Sequence, residues 1–324
     1  MRVKPLLSII IISYNVKDFI DPCLNSILAD KKLDFSLNPD SDLIPSELII
    51  IDNASSDTSP ALIKSYLKKH PQYSCVTFLP QAKNLGFSQA NNLGAKTAQG
   101  NYLLFLNPDT IVLHSAISQT LEWLSSHPEA ACATAQLLNN DKSIQPSGGF
   151  FPNLKNLATW SLNLDDLPLV NTIIGPIHPH SPTFGLAPSN FYLKDHPQDW
   201  ITGAFMLWRR YAFKSIGGFD PKYFMYGEEL ELFYRLRLAH PELSVWYLIG
   251  PQIIHLGGGS AKAKFHPLLS EYKGILAFFT KHRPTQLPKA RVLIKINCLA
   301  HLWLYRLLLR FNTASLYSQT LRQL

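Results

Sequence analysis

Ser8-Ile9-Ile10-Ile11-Ile12-Ser13-Tyr14-Asn15 is an unbroken apolar, β-branched run that halts at polar residues. Continuity without alternation marks a strand covered on both faces, the habit of parallel sheets packed between helix layers. Leu6–Ile12 is read as that first strand, and Val16, Phe19, Ile20, Leu24, Ile27 and Leu28 then fall at helical spacing. The pattern repeats down the chain. Glu47–Ile51 is a second buried strand, broken by Asp52-Asn53-Ala54-Ser55-Ser56-Asp57, whose Ser and Asp side chains suit the cap of a helix running to Lys69. Ser74–Leu79 and Asn101–Leu106 read as the third and fourth strands. The fourth stops at Asn107-Pro108-Asp109, and a helix (His114–Ser126) and a further strand (Ala131–Leu138) follow. Strand–helix alternation of this kind predicts an α/β fold with a largely parallel central sheet. Ligands of such sheets gather at the carboxyl ends of the strands, where Tyr14, Asp52 and Asp109 all lie.

Composition sets the limits. The 324 residues are 46% hydrophobic and 16% charged, which suits a globular chain with a sizeable core and excludes a disordered one. The net charge of +7 is unevenly spread, because residues 261–324 hold eleven Lys/Arg against the single acid Glu271 and the rest is mildly acidic. Cys23, Cys75, Cys132 and Cys298 form no C-x-x-C pair, so neither a disulfide framework nor a zinc site is expected, and a reducing compartment fits. The apolar run after Arg2 and Lys4 is too short for a signal peptide, and no stretch reaches the roughly 20 apolar residues of a membrane span. No P-loop or dinucleotide-binding glycine pattern is present.

A second concentration of chemistry lies between Trp200 and Ser260. The apolar run Ile201–Trp208 reads as a buried strand. Aromatic residues then lead into Glu228, Glu229 and Glu231 at the start of a helix. Acids pressed against aromatics are costly unless they bind a cation, a proton or a polar ligand, although the N-terminal macrodipole of a helix also favours them. Arg235 stands one turn after Glu231, spaced to pair with it. Residues 143–199 are irregular, either an acceptor-side loop region or ordinary surface.

These stretches together resemble the inverting family 2 glycosyltransferases of GT-A fold, in the rhamnosyltransferase-like branch. The resemblance rests on Ser8–Asn15, Ile51–Asp57, Asn84-Leu85-Gly86-Phe87 with Asn92-Leu93-Gly94, and Leu106–Thr110. It continues through Thr202–Leu207, Ile216-Gly217-Gly218-Phe219-Asp220, Phe224–Leu232 and His255, in the family's order over residues 6–260. It implies a GT-A catalytic domain at 1–260, with a nucleotide-sugar half at 1–110 and an acceptor and base half at 111–260. Residues 261–324 are then a basic, amphipathic helical tail.

Under this resemblance Ser13, Tyr14, Asn15, Asp52, Asn84 and Asn107 hold the nucleotide, with Tyr14 stacking on the base and Asp52 accepting a base N–H or ribose hydroxyl. Asp52 as a turn former and Asp57 as a helix cap are the plainer alternatives. Asn107-Pro108-Asp109 stands where the family has D-x-D, so Asp109 and His255 are the implied ligands of a divalent ion, Mg2+ or Mn2+, which offsets the charge of the departing diphosphate. Asn in place of the first acid leaves one full carboxylate there. Glu229 falls at the family's catalytic Asp, one methylene longer, with Glu228 as the other candidate base. Trp200, Thr202, Gly203 and Ala204 line the acceptor side, and Trp208 belongs to the core.

The implied activity is transfer of a sugar, such as L-rhamnose from its dTDP form, to a hydroxyl of a cell-surface glycan or lipid-linked acceptor. The alternative is a catalytically silent GT-A domain serving as a membrane-associated assembly subunit. In the tail, Val292, Ile296, Leu299, Trp303 and Leu307 form an apolar stripe edged by Lys295, Arg306 and Arg310. Such a helix suits a membrane interface, a docking surface on the catalytic domain or a dimer contact. The expected location is cytoplasmic, on the inner face of the membrane. Nucleic acid is not an expected partner, since the body is acidic and carries no recognition module.

Overall fold

The computed structural model describes residues 3–71, 74–162, 164, 165, 167–179, 190–257 and 267–324. Its strands are β1 (Leu7–Ser13), β2 (Leu33–Asp34), β3 (Ile44–Asp52), β4 (Val76–Pro80), β5 (Tyr102–Leu106), β6 (Thr110–Leu113), β7 (Ala130–Leu138), β8 (Ile144–Gln145), β9 (His196–Gln198), β10 (Phe205–Arg209) and β11 (Ser244–His255). Helices α1 (Ile20–Leu28), α2 (Ser59–Lys69), α3 (Gly86–Thr97) and α4 (Ala116–Ser126) alternate with them in the first half. The second half adds α5 (Leu154–Ser161), α6 (Pro168–Ile173), α7 (Arg210–Ser215) and α8 (Glu228–Ala239). The chain ends in α9 (Pro267–His282), α10 (Leu287–Leu307) and α11 (Phe311–Gln323).

The sheet runs β2-β3-β1-β5-β10-β7-β11-β6, with β4 on β3, β8 on β7 and β9 on β11. β1 pairs parallel with β3 and β5, as its unbroken apolar sequence predicts. Beyond β5 the sheet becomes mixed, because β10 enters antiparallel between β5 and β7. The fold is of the GT-A class. Alternate residues of each central strand serve two cores. Ile10, Ile49, Leu103, Phe105 and Trp208 face one, and Ile9, Ile11, Ile50, Leu104 and Leu207 face the other. Such strands must be apolar throughout, since neither face meets water.

The long strand β11 does not emerge from the helix–strand reading, although Val245-Trp246-Tyr247-Leu248-Ile249 and Ile253-Ile254 are β-rich. Gly250-Pro251 between them hides the continuity, and the pairing with β7 shifts register between Leu248 and Gln252. Apolar residues of α9 and α10 (Tyr272, Ile275, Phe278, Ala290, Ile294, Cys298) join the same core as Phe151, Trp200 and Phe233. The tail is not one helix, for α10 ends at Leu307 and Leu309 takes a positive φ of 55° before α11 begins. Asn297, buried on α10, donates to the Trp160 carbonyl of the α5 region.

Several residues of the sequence pattern have structural duties. The Asn92 amide donates to the Phe219 carbonyl and its oxygen accepts the Phe219 N–H, which ties α3 to the Ile216–Asp220 turn. Gly94 brings α3 so close to β1 that an added Cβ would stand 2.4 Å from the Ile10 Cγ2.

Candidate active site

The parallel strands deliver their polar termini to one edge of the sheet. Ser13 and Asp52 are paired across the β1–β3 ladder. Ser13 Oγ and Asp52 Oδ1 are both buried without a hydrogen-bond partner, while Asp52 Oδ2 accepts the Ser55 N–H. Two adjacent unsatisfied polar atoms at strand ends are suited to a ligand's polar edge. Tyr14 stands half-buried beside them. Asn15 and Asn84 are engaged internally. Asn15 Oδ1 accepts the backbone N–H groups of Ser56 and Asp57, and Asn84 Oδ1 accepts from the Asn53 amide and the Gly86 N–H. Asp57 Oδ1 accepts the Ser59 N–H at the start of α2 from the position before Thr58, the residue that caps the helix.

Next to this edge lies a cavity of about 520 Å³ that brings together Asn107, Asp109, Trp200, Thr202, Gly203, Ala204, Glu228, Glu229 and His255. Ser13, Tyr14, Asn15, Asp52 and Asn84 are not part of its wall. The tertiary structure adds Gln145, His178, Glu271 and Ile275, which lie outside every motif, and gives a place in the wall to Phe87 and Tyr226, which the motifs contain without a site role. Gln145 and His178 sit in an irregular stretch and Glu271 in a basic helix, so no local pattern points to them.

The antiparallel pairing of β6 with β11 sets His255 opposite Thr110 and so beside Asp109. His255 Nε2 lies 3.5 Å from Asp109 Oδ1, and its Nδ1 lies 2.7 Å from Gln145 Oε1. The Gln145 amide nitrogen donates to the His255 carbonyl and to Asn139 Oδ1, which fixes its oxygen toward the ring. Nδ1 is thereby placed to donate to Gln145, and Nε2 is the ring atom left facing the Asp109 carboxylate. Two acceptors converging in this way fit a cation, and Gln145 supplies the outer contact that holds a ligating imidazole in its tautomer. No group of three or more His, Cys, Asp or Glu side chains gathers for a metal among the described residues. A divalent ion here would thus take Asp109 and His255 from the protein and the rest of its ligands from substrate or water. The glycine run behind His255 lies partly outside the description, since Gly258, Gly259 and Ser260 are not among the described residues.

The acids at the head of α8 form another part of the wall. Gly227 opens the helix with φ 89°, and Glu228, Glu229 and Glu231 occupy its first turn, where the macrodipole favours them. Their environments differ. Glu229 Oε1 accepts the Gly203 N–H at 3.0 Å. Glu228 is buried and its Oε2 has no partner. Burial raises the pKa of both carboxyls, and the Glu229 charge adds to the rise at Glu228. Glu231 points away, gripped by Arg235 (2.7 Å) and Lys281 (2.6 Å), with His282 at 3.4 Å. Arg235 also donates to the carbonyls of Ile216 and Gly218. Glu231 is thus the tie between α8 and α9.

Thr202-Gly203-Ala204 is the turn before β10. Thr202 Oγ1 lies 3.1 Å from Ser147 Oγ, and the Ala204 carbonyl accepts the Asn107 N–H. Gly203 has no room for a side chain, because a Cβ would stand 2.7 Å from Phe87 Cζ and 3.1 Å from Glu229 Oε1. Trp200 lines the cavity from a buried position, 5% exposed, its indole N–H donating to the Phe150 carbonyl. Trp208 is fully buried and stacks on Phe233.

Residues 8–167 match the family model described as Glycosyl transferase family 2. Residues 8–167 are a family 2 glycosyltransferase domain. Among curated proteins the chain is similar to the N-acetylglucosaminyl-diphospho-decaprenol L-rhamnosyltransferase of Mycobacterium tuberculosis, 28% identical over 65% of this chain and 66% of that protein. The matched part is therefore just under two thirds of that relative. The rhamnosyltransferase WbbL of Escherichia coli K12 is 27% identical over 71% of this chain and 76% of that protein. Among solved structures, GalNAc-T7 with UDP, GalNAc and Mn2+ superposes with a TM-score of 0.58 at 14% identity, over 89% of this chain and 51% of that one. The mannosyltransferase PcManGT of Pyrobaculum calidifontis, in complex with GDP-Man and Mn2+, gives 0.52 at 14% identity, over 99% of this chain and 75% of that one. At such identities the structural likeness carries the fold alone.

Proposed function

We propose that this glycosyltransferase transfers a sugar with inversion, from a nucleoside-diphosphate donor to a hydroxyl of a lipid-linked or cell-envelope glycan. The L-rhamnosyl unit of dTDP-rhamnose is the first donor to test. The observation that carries the reading is the single cavity shared by Asp109, His255, Glu228 and Glu229. Inversion by direct displacement needs one base to take the proton of the attacking hydroxyl and a way to receive the charge of the departing diphosphate. Glu229 is the proposed base. The Gly203 N–H holds one of its oxygens and so orients the other, and burial raises its basicity above that of an exposed carboxylate. Glu228, its buried neighbour on α8 and also in the cavity wall, is the second candidate. Residues 1–110 supply the donor half, with Ser13, Tyr14 and Asp52 about the nucleotide, and residues 111–260 the acceptor and base half. A divalent ion, Mg2+ or Mn2+, held by Asp109 and His255, supplies charge compensation for the leaving group. The names of the rhamnosyltransferase relatives and the chemistry of the cavity support this reading.

The same proposal puts the protein at the cytoplasmic face of a membrane. No helix among the described residues is long and apolar enough to cross one. On α10, however, the stripe foreseen in the sequence faces outward, with Trp303 59% and Leu307 80% exposed and Arg306 over the Trp303 ring at 5.2 Å. Apolar side chains edged by cations suit an anionic lipid surface, where each Lys or Arg adds about 1 kcal/mol.

The deciding experiment incubates the full chain with dTDP-rhamnose, Mn2+ or Mg2+ and an N-acetylglucosaminyl-diphospho-lipid, and reads the anomeric configuration of the product by NMR. A product of inverted configuration is expected. Retention would end the single-displacement reading. Binding of nucleotide sugars without turnover across a panel of donors would favour the silent assembly domain instead.

A further inference from the structure

We infer that α9 completes a subsite for an uncharged pyranose of the acceptor, built from Glu271 and His178 against the apolar wall of Trp200 and Ile275. The inference deepens the transferase reading and rests on it. It starts from an anomaly of charge, because Glu271 is the one acid among residues 261–324, which carry eleven Lys/Arg. That acid is turned into the cavity. His178 Nε2 lies 3.1 Å from Glu271 Oε1, and both side chains keep 37% of their surface exposed, so the pair is fixed and still open to a ligand. Burial opposes the Glu271 charge, but the hydrogen bond and charge of His178 outweigh it and hold the carboxyl below its usual range. The His178 ring meets Trp200 edge to face at 5.3 Å, and Ile275, one turn beyond Glu271, faces the same cavity.

The backbone explains why a helix so far along the chain reaches the site. A Cβ on Gly227 would stand 2.6 Å from the Gly274 Cα, so α9 crosses the head of α8 in backbone contact. Glu271 and Ile275 flank that crossing on α9, and Glu228 and Glu229 follow Gly227 on α8. The proposed base and the α9 pair are therefore set by one contact.

The chemistry of this wall selects its ligand. A carboxylate repels phosphate and accepts hydrogen bonds from hydroxyl groups, and an imidazole adds a further donor or acceptor. Trp200 and Ile275, both buried, back the pair with apolar side chains and leave hydroxyl recognition to Glu271 and His178. Diphosphate belongs instead with Asp109 and His255. The occupant is accordingly a neutral sugar whose hydroxyls meet Glu271 and His178, next to the base that deprotonates the attacking oxygen.

The test measures binding of octyl glycosides of N-acetylglucosamine, glucose, galactose, mannose and rhamnose to the full chain, by saturation-transfer NMR and calorimetry. Wild type, Glu271→Gln, Glu271→Lys and His178→Ala are compared, with dTDP binding as the control for an intact donor half. At least one glycoside should bind wild type, and Glu271→Lys should weaken it about tenfold or more, with dTDP affinity changed less than about twofold. Glycoside affinity unchanged in all three variants, or no glycoside bound by wild type, overturns the subsite. If wild type binds a glycoside through Glu271 yet neither binds nor turns over any nucleotide sugar, the transferase reading fails and the subsite stands.

Discussion

Gly274 in α9 lies in backbone contact with Gly227, the residue that opens α8. A Cβ on Gly274 would stand 3.0 Å from both the Gly227 Cα and the Tyr226 carbonyl oxygen. Gly227 also needs its positive φ of 89°, which L side chains rarely adopt. Gly274→Val should force the helices apart at a cost of about 1–3 kcal/mol, the range for overpacking. Transfer should fall more than stability does, because the displaced helix carries Glu229. Denaturant midpoints and initial rates on one preparation check this, and a variant with full activity would remove the crossing from the site.

Glu229→Gln keeps an oxygen for the Gly203 N–H and loses the basic group. We expect kcat to fall about 10²–10⁴-fold, with nucleotide affinity within about twofold. Glu229→Asp should retain more activity than Gln, since it shortens the arm and preserves the carboxylate. A loss below about tenfold in the Gln variant would move the base to Glu228.

The pH profile follows from the same burial. Both carboxyls are raised above their ordinary values, and the base works only when deprotonated. The acid limb of kcat/KM should therefore have its midpoint above the usual Glu range near ~4.3 and disappear from the residual activity of Glu229→Gln. A midpoint at or below that range would contradict a buried base.

Gln145 holds the His255 ring through Nδ1, so Gln145→Ala should weaken Mn2+ binding in the presence of dTDP by about 10–100-fold without touching a ligand. Asp109→Asn should weaken it further. Electron paramagnetic resonance of free Mn2+ reads both. Unchanged affinity in His255→Ala would take that residue out of the metal set.

Glu231 is a stability device with a defined pH window. Burial alone would raise its pKa, but His282, Arg235 and Lys281 pull it from 4.5 to about 2. Because the folded value is depressed, the stabilisation is complete above the unfolded pKa and fades as pH falls toward 2. Glu231→Gln should cost about 3 kcal/mol at neutral pH, and the gap to wild type should close on acidification. A constant gap across that window would refute the ion-pair account.

Vesicle flotation tests the tail. Removing it is a poor probe, because Ala290, Ile294 and Cys298 belong to the shared core. Trp303→Ser and Leu307→Ser change exposed side chains only. They should reduce binding to phosphatidylglycerol-rich vesicles and leave the denaturation midpoint within about 0.5 kcal/mol. Equal flotation of wild type and variants would exclude this face.

By itself the sequence determined the α/β layering, for unbroken runs such as Ile9–Ile12 and Leu103–Leu106 must be covered on both faces wherever they sit. It also determined the family and the polar strand ends at Ser13, Asp52 and Asn107, because those signals lie within a few residues of chain. Tertiary structure alone decided which of these groups share a cavity. Asp109 meets His255 only through the pairing of β6 with β11, and Gln145 orients that ring from a loop without a local signature. It also separated three neighbouring glutamates that look alike in sequence. Helical geometry and the arrival of α9 turn Glu231 into an ion-pair tie and leave Glu228 and Glu229 at the cavity. Most of all, it brought Glu271 to that cavity, a placement fixed by two glycines 47 residues apart whose close approach no one-dimensional pattern encodes.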